Sequence, residues 1–310
     1  MILFNYLLIC LIFGTTFLAI KIGVDAAAPP FFSAGLRFFV AGLVLYVWMV
    51  GRKKASFSLL LHKEMLLTGI GLTFGTFATL YWAEQYVTSG IAAVLSATGP
   101  IMILVLQMVV MRQKPTPRSV WGCIIGFSGV ILLLLPSLTL SASGWWVLGC
   151  IAILIGEFFY SWGALYSKRV IQRFPEASPI ALNAAQMIYG GLLLLLLSAF
   201  TEHDPFASLQ SPGAIGSLLY LIVIGSMVGH SLFYWLVAKT NPVFPATWLY
   251  VSPLIALSIG AMFYGETISW ITILGVITII AGIVMVNLDN LNQLFRRRKS
   301  ESKKLREVHS

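Results

Sequence analysis

The chain has 310 residues and a net charge of +9, with 58% hydrophobic and only 10% charged residues. A soluble domain carries about 25% charged residues to cover its surface, so one or two globular domains are excluded. A nucleic-acid binder is excluded too, because seven of the 20 Lys and Arg crowd into Arg296–Arg306 and most others sit in links between apolar runs.

Apolar runs of about twenty residues, broken by short polar links, predict a polytopic α-helical membrane protein. In chain order the expected spans are Phe4–Val24, Phe31–Val50, Met65–Glu84, Gly90–Met111, Arg118–Pro136, Trp145–Leu165, Pro179–Ala199, Ile215–Ala238, Val243–Tyr264 and Trp270–Leu288. The first run lacks a basic leader and is followed by DAAAPP, so it is expected to stay as a helix rather than be cleaved as a signal peptide. Cys10, Cys123 and Cys150 all fall inside apolar runs without metal-ligand spacing and read as small buried hydrophobes.

Basic residues fix the orientation. Arg52, Lys53, Lys54 and Lys63 lie between spans two and three, Arg112, Lys114 and Arg118 between four and five, Lys168, Arg169 and Arg173 between six and seven, and Lys239 between eight and nine. With ten spans all of these share one side with the tail, and the opposite links, including Glu202-His203-Asp204, hold no Lys or Arg. The positive-inside rule then places both termini in the cytoplasm.

The stretch YWAEQYVTSGIAAVLSATGP at Tyr81–Pro100 recurs 153 positions later. Tyr81-Trp82 matches Tyr234-Trp235, Ala93 matches Ala246, Pro100 matches Pro253, and Gly122 and Gly129 match Gly275 and Gly282. A second register, at 149, relates Phe13-Gly14 to Trp162-Gly163, and Arg37 and Gly42 to Gln186 and Gly191. Two ordered registers indicate a duplicated unit, with residues 1–140 as the first copy, 141–290 as the second and 291–310 as a basic tail. Five spans per copy force the second to enter the membrane from the other side. The expected fold is all-α, with ten transmembrane helices in two inverted-topology five-helix repeats.

Small residues predict close helix contacts at Gly122, Gly126 and Gly129 and at Gly275 and Gly282. Pro100 and Pro253 each remove a helical donor and free a carbonyl, so they are expected to bend spans four and nine, as packing kinks or as part of a solute path.

These segments also carry a resemblance. GTTFLAIKIG at Gly14–Gly23, LRFFVAGL at Leu36–Leu43, AEQYVTSGIAAVLSATGPI at Ala83–Ile101, SWGALYSKR at Ser161–Arg169, QMIYGGLLL at Gln186–Leu194 and YVSPLIALSIGAMFYGETIS at Tyr250–Ser269 are similar, in order and spacing, to the ten-span EamA-type permeases of the drug/metabolite transporter superfamily. The resemblance covers all but the charged tail. It implies two EamA repeats, a bacterial inner-membrane location and carrier-mediated movement of a small organic solute such as an amino acid, in the direction of export. The chain departs from the pattern after span four, where Met111-Arg112-Gln113-Lys114 stands in place of a pair like Gly265-Glu266.

Charges inside apolar runs are the candidate functional groups, since each costs about 2.5–3.5 kcal/mol at a helix centre on insertion scales. Lys21, Arg37 and Glu84 are expected near the external span ends. There they either pair, Lys21 or Arg37 with Glu84, to fasten helices, or line the path and attract a carboxylate. Glu157 lies deeper, in mid-span six, and must be neutral, paired or facing water; proton coupling is one role and a hydrogen bond within the bundle the other. Tyr81, Trp82, Tyr234, Trp235, Trp248 and Tyr250 recur near span junctions, as an interfacial belt or as gates. Gln186 and Asn183 share one face of span seven, which is expected to turn inward toward a helix partner or the solute. His230, within span eight, reads as a hydrogen-bonded core residue.

With no Walker motif or large cytosolic domain, energy must come from an ion gradient, exchange or facilitated diffusion. Scattered His residues and the absence of HExxH argue against a membrane enzyme, a metal or any cofactor. A flippase for a lipid-linked amphiphile is the alternative to a metabolite carrier. Expected partners are the solute, protons as a candidate coupling ion, and anionic lipid at the tail. Oligomeric state is open.

Overall fold

The architecture was obtained as a computed structural model that describes residues 1–112, 114–135, 143–203, 211–255, 270–271 and 273–286. Pro136, Asp204, 256–264 of span nine, the Gly265-Glu266 pair, 287–288 of span ten and the basic tail lie outside the described residues.

Among the described residues, seven long apolar helices and three shorter ones fall on the apolar runs. They are α1 (Ile2–Asp25), α2 (Pro30–Gly51), α3 (Lys63–Ala83), α4 (Ser89–Ser96, then Gly99–Met111), α5 (Pro117–Leu134), α6 (Gly144–Arg173), α7 (Pro179–Thr201), α8 (Pro212–Lys239), α9 (Val243–Ile255) and α10 (Ile273–Val286). Most starts carry a visible signal. Pro occupies the first turn of α2, α5, α7 and α8, where its missing N–H costs nothing. Thr116, Ser143 and Ser178 accept from backbone N–H groups as N-caps. Glu202 caps α2 from a distance, its two carboxylate oxygens accepting from Phe31 N–H at 2.8 Å and Phe32 N–H at 2.9 Å.

α6 runs eight residues beyond the expected end at Leu165, because the basic link continues the helix to Arg173. There Arg173 reaches Glu64 on α3 at 2.9 Å. Lys53, Lys54, His62 and Arg173 surround one hollow at this end of the bundle.

The outer surface is apolar. On α6 Val147, Leu148, Ile151, Ile155 and Phe158 are exposed at helical spacing, as a lipid-facing stripe requires.

Inside, contacts repeat when the halves are exchanged. α1 packs on α8 as α6 packs on α3, and α2 packs on α8 as α7 packs on α3. α2 and α7 meet each other, and so do α5 and α10. The glycines make the symmetry residue-specific. Gly42 approaches Ala184 and Ile188, while Gly191 approaches Gly35 and Phe39, the same positions 149 residues earlier. Gly129 approaches Gly275 and Ile279, while Gly282 approaches Gly122 and Gly126, the same positions in the 153 register.

A side chain at these crossings has no room. A Cβ at Gly42 would lie 2.8 Å from both the Ala184 carbonyl oxygen and the Ile188 amide nitrogen, and backbone atoms cannot rotate away. Gly42→Ala is therefore expected to destabilise the bundle by about 1–3 kcal/mol, as overpacking does. Gly216, on α8 with nothing within 4 Å, should accept Ala without loss. Thermal unfolding of the purified protein in detergent compares the two; equal midpoints would show that the α2–α7 crossing can give way.

The expected bends take a different form. α4 breaks at Ala97 and Thr98, so Pro100 sits in the first turn of the second segment. α9 breaks at Thr247, and Pro253 lies six residues further on within a continuous helical turn. The chain bends ahead of each proline, where a Thr hydroxyl turns back onto a carbonyl three residues earlier, Thr98 to Leu95 and Thr247 to Phe244, both at 2.7 Å.

Candidate functional site

The site begins with two widened stretches of helix. Ile70–Gly75 in α3 and Leu221–His230 in α8 make i→i+5 bonds, a rare pattern common at functional sites. They occupy overlapping positions in the 153 register. Each helix carries glycines four residues apart, Gly71 and Gly75 in α3 and Gly225 and Gly229 in α8, which lets neighbouring helices close in.

Between them lies an internal cavity built by both halves. Its polar wall comprises Thr16, Arg37, Thr76, Ser96, Glu157 and His230, and its aromatic wall Phe13, Phe17, Phe77, Tyr160, Phe233 and Trp248. Equivalent positions face it from either half: Phe77 with His230, Leu80 with Phe233, and Ser96 with Leu249. The frame is symmetric but the chemistry is not. The cavity is narrow, about 40 Å³, room for on the order of three waters.

Arg37 is 1% exposed and lies some two turns inside α2, not at its end. Its Nε donates to Ser226 Oγ at 2.8 Å and one terminal nitrogen donates to the Tyr81 hydroxyl at 3.2 Å. The guanidinium carbon stands 4.6 Å and 5.1 Å from the ring centroids of Phe38 and Phe77, cation–π contacts that offset part of the burial cost. The repeat explains this arrangement. Gln186, its counterpart, accepts from Thr73 Oγ1 at 2.7 Å, and Thr73 is the counterpart of Ser226. One contact thus occurs twice with its donor reversed, Arg37 donating to Ser226 and Thr73 donating to Gln186. A guanidinium has five N–H donors, and among the described residues Arg37 uses two and makes no ion pair.

Glu157 is 6% exposed and faces the break in α4. Its Oε2 and the Ser96 hydroxyl are buried without a hydrogen-bond partner. Such orphaned groups are uncommon and mark strain, chemistry or an absent ligand. Beside it Ser161 Oγ donates to the Gly99 carbonyl at 3.1 Å, and Trp248 Nε1 donates to the Tyr160 hydroxyl at 3.3 Å.

The expected fastening by Glu84 is corrected. Lys21 pairs with Asp25 at 2.8 Å and donates to the Glu84 backbone carbonyl at 3.1 Å, not to its carboxylate. Among the described residues both carboxyl oxygens of Glu84 are buried and make no hydrogen bond. The i,i+4 neighbour on its own helix reaches the lysine first.

Of the sequence candidates, the cavity brings together Arg37, Glu157 and Trp248, with Tyr81 just behind Arg37. The others stand elsewhere. Trp82 packs with Tyr86 and Trp145 at a helix end. Tyr234 is fully buried in the core and Trp235 packs against it. Gln186 and Asn183 bind each other and Thr73 and Ser231 between helices. Tyr250 lies against Gly126 and donates to the Cys123 carbonyl at 3.1 Å. His230 is buried as expected, but among the described residues its ring makes no hydrogen bond; it lines the cavity between the rings of Phe13, Phe38 and Phe77. Ser96 and Tyr160 carried no sequence signal, and Phe13 only its place in the 149 register. The paired glycines of α3 and α8 were the available hint for His230.

A model of the EamA-like transporter family matches residues 1–135 and 147–288. The chain is 30% identical to the uncharacterized inner membrane transporter YedA of Escherichia coli K12, over 90% of this chain and 88% of that one. It is 26% identical to a probable amino-acid metabolite efflux pump of Salmonella typhimurium, over 90% and 92%. A crystal structure at 18% identity superposes with a TM-score of 0.73 over 92% of this chain and 96% of its own, a likeness of fold.

Proposed function

Because this chain belongs to the EamA-like transporter family and is a multi-pass inner-membrane protein, we propose that its central cavity is the solute site of a secondary carrier. The carrier moves a small carboxylate-bearing metabolite, an amino acid or a similar solute, by alternating access, and exports it. The single observation that carries this reading is Arg37, a buried cation in the cavity wall that, among the described residues, has donors to spare and makes no ion pair. A solute carboxylate would complete it with paired charge-assisted bonds. The aromatic wall suits the apolar part of such a solute, and Glu157 with Ser96 offers a second polar anchor or a proton site.

Three waters' worth of space is too little for a metabolite, so loading requires the helices to part at one end or the other. The inverted halves make the two openings equivalent. Both termini are read as cytoplasmic, on the side of the Lys53–Arg173 hollow. The direction rests on likeness to the Salmonella efflux pump.

The experiment is a release assay. Proteoliposomes loaded with a mixed metabolite pool are sampled outside by mass spectrometry. Saturable loss of carboxylate-bearing solutes, absent from protein-free vesicles, is the expected result. Retention of all such solutes, or scrambling of a lipid-linked amphiphile instead, would overturn the reading.

A further inference from the structure

Two lysines outside the cavity make the same contact at opposite ends of the molecule. Lys21, near the end of α1, donates to the Glu84 carbonyl at the end of α3, at 3.1 Å. Lys168, near the end of α6, donates to the Val237 carbonyl at the end of α8, at 2.8 Å. In the 153 register Glu84 corresponds to Val237, and α1 and α3 correspond to α6 and α8. The two bonds are therefore copies, although Lys168 stands two positions short of Val170, the strict counterpart of Lys21. They lie at opposite ends because α6 finishes where Arg173 meets Glu64, at the start of α3, whereas Glu84 closes its finish.

Each lysine stands on a helix that also lines the cavity. Ile20, beside Lys21, lines the cavity, and so does Tyr160, two turns before Lys168. The ends of α3 and α8 carry carbonyls with no helical partner and a partial negative charge, so an ammonium group is held there by hydrogen bond and by dipole. The two differ in strength. Lys168 also donates to the carbonyls of Ala238, at 3.2 Å, and Thr240, at 3.0 Å, using all three of its donors. Lys21 has one carbonyl and divides its charge with Asp25.

We infer that Lys21 and Lys168 are a matched pair of latches, positioning residues that hold the first and third helices of each repeat together and close the cavity at the external and cytoplasmic ends respectively. Transport then opens one at a time, and the cytoplasmic latch is the firmer. This rests on the carrier reading for its purpose, but the closure itself is measurable without a solute.

The test uses the full chain with Cys10, Cys123 and Cys150 replaced and a Thr16→Cys reporter in the cavity wall, labelled by a membrane-impermeant maleimide from either side. Lys21→Met is expected to raise external labelling and Lys168→Met cytoplasmic labelling. The larger change, about tenfold for loss of a charge-assisted bond, is expected at Lys168. Lys21→Arg and Lys168→Arg keep a donor at the carbonyls and should restore the parental pattern, which separates latch loss from misfolding. Unchanged labelling in both Met variants, labelling from neither side throughout, or opening of the same side by both overturns the inference. Opposite openings without any transported solute would leave the latches standing and sink the carrier reading instead.

Discussion

Arg37→Met is expected to cut flux of carboxylate-bearing solutes about a hundredfold, two charge-assisted hydrogen bonds at about 1.5 kcal/mol each being lost to the solute. Met keeps much of the side chain's length and apolar contact, so the Phe38 and Phe77 rings keep a neighbour. What disappears is the charge and the donor fork. Arg37→Lys should lose less flux than Met but not recover the parent, because a point charge cannot serve Ser226, Tyr81 and a carboxylate together. A neutral solute of similar shape should be affected less. Initial rates in proteoliposomes, corrected for inserted protein, check this. Equal loss for charged and neutral solutes would reduce Arg37 to a fastener between α2, α3 and α8.

Glu157→Gln is expected to abolish accumulation driven by an imposed pH gradient while leaving solute-for-solute exchange in place. The substitution preserves volume and polar contact beside Ser96 and Gly99, but the amide cannot take up and release a proton. Coupling needs a group that changes charge as the cavity changes sides, and a buried carboxyl in the cavity wall can do so. Counterflow and gradient-driven uptake in the same vesicles separate the two functions. Retained gradient dependence would assign Glu157 to packing, and loss of both modes would assign it to solute binding.

The candidate site was only partly legible beforehand. Arg37 and Glu157 could be singled out because charge is costly in an apolar run, whatever the fold. The aromatic pairs could not be sorted that way. Trp82 and Trp235 are symmetry mates, as are Phe77 and His230, yet only the second pair faces the cavity. In a helix that is apolar on every side, periodicity does not distinguish a lipid face from a cavity face. The ion pair expected for Glu84 failed for a related reason: Lys21 meets Asp25 one turn along its own helix, and a backbone carbonyl, which no sequence pattern displays, takes another of its donors.

By itself the sequence determined the membrane class, the ten apolar runs, the duplication and its registers, because hydropathy and chain order act locally and survive any packing. Tertiary structure alone decided that Gly42 and Gly191 cross at matching points, that Arg37 lines one cavity with Glu157 and His230, and that Lys21 and Lys168 reach equivalent carbonyls at opposite ends. Those facts depend on how each helix is rotated about its axis. That rotation is set by close packing against partners far away in the chain.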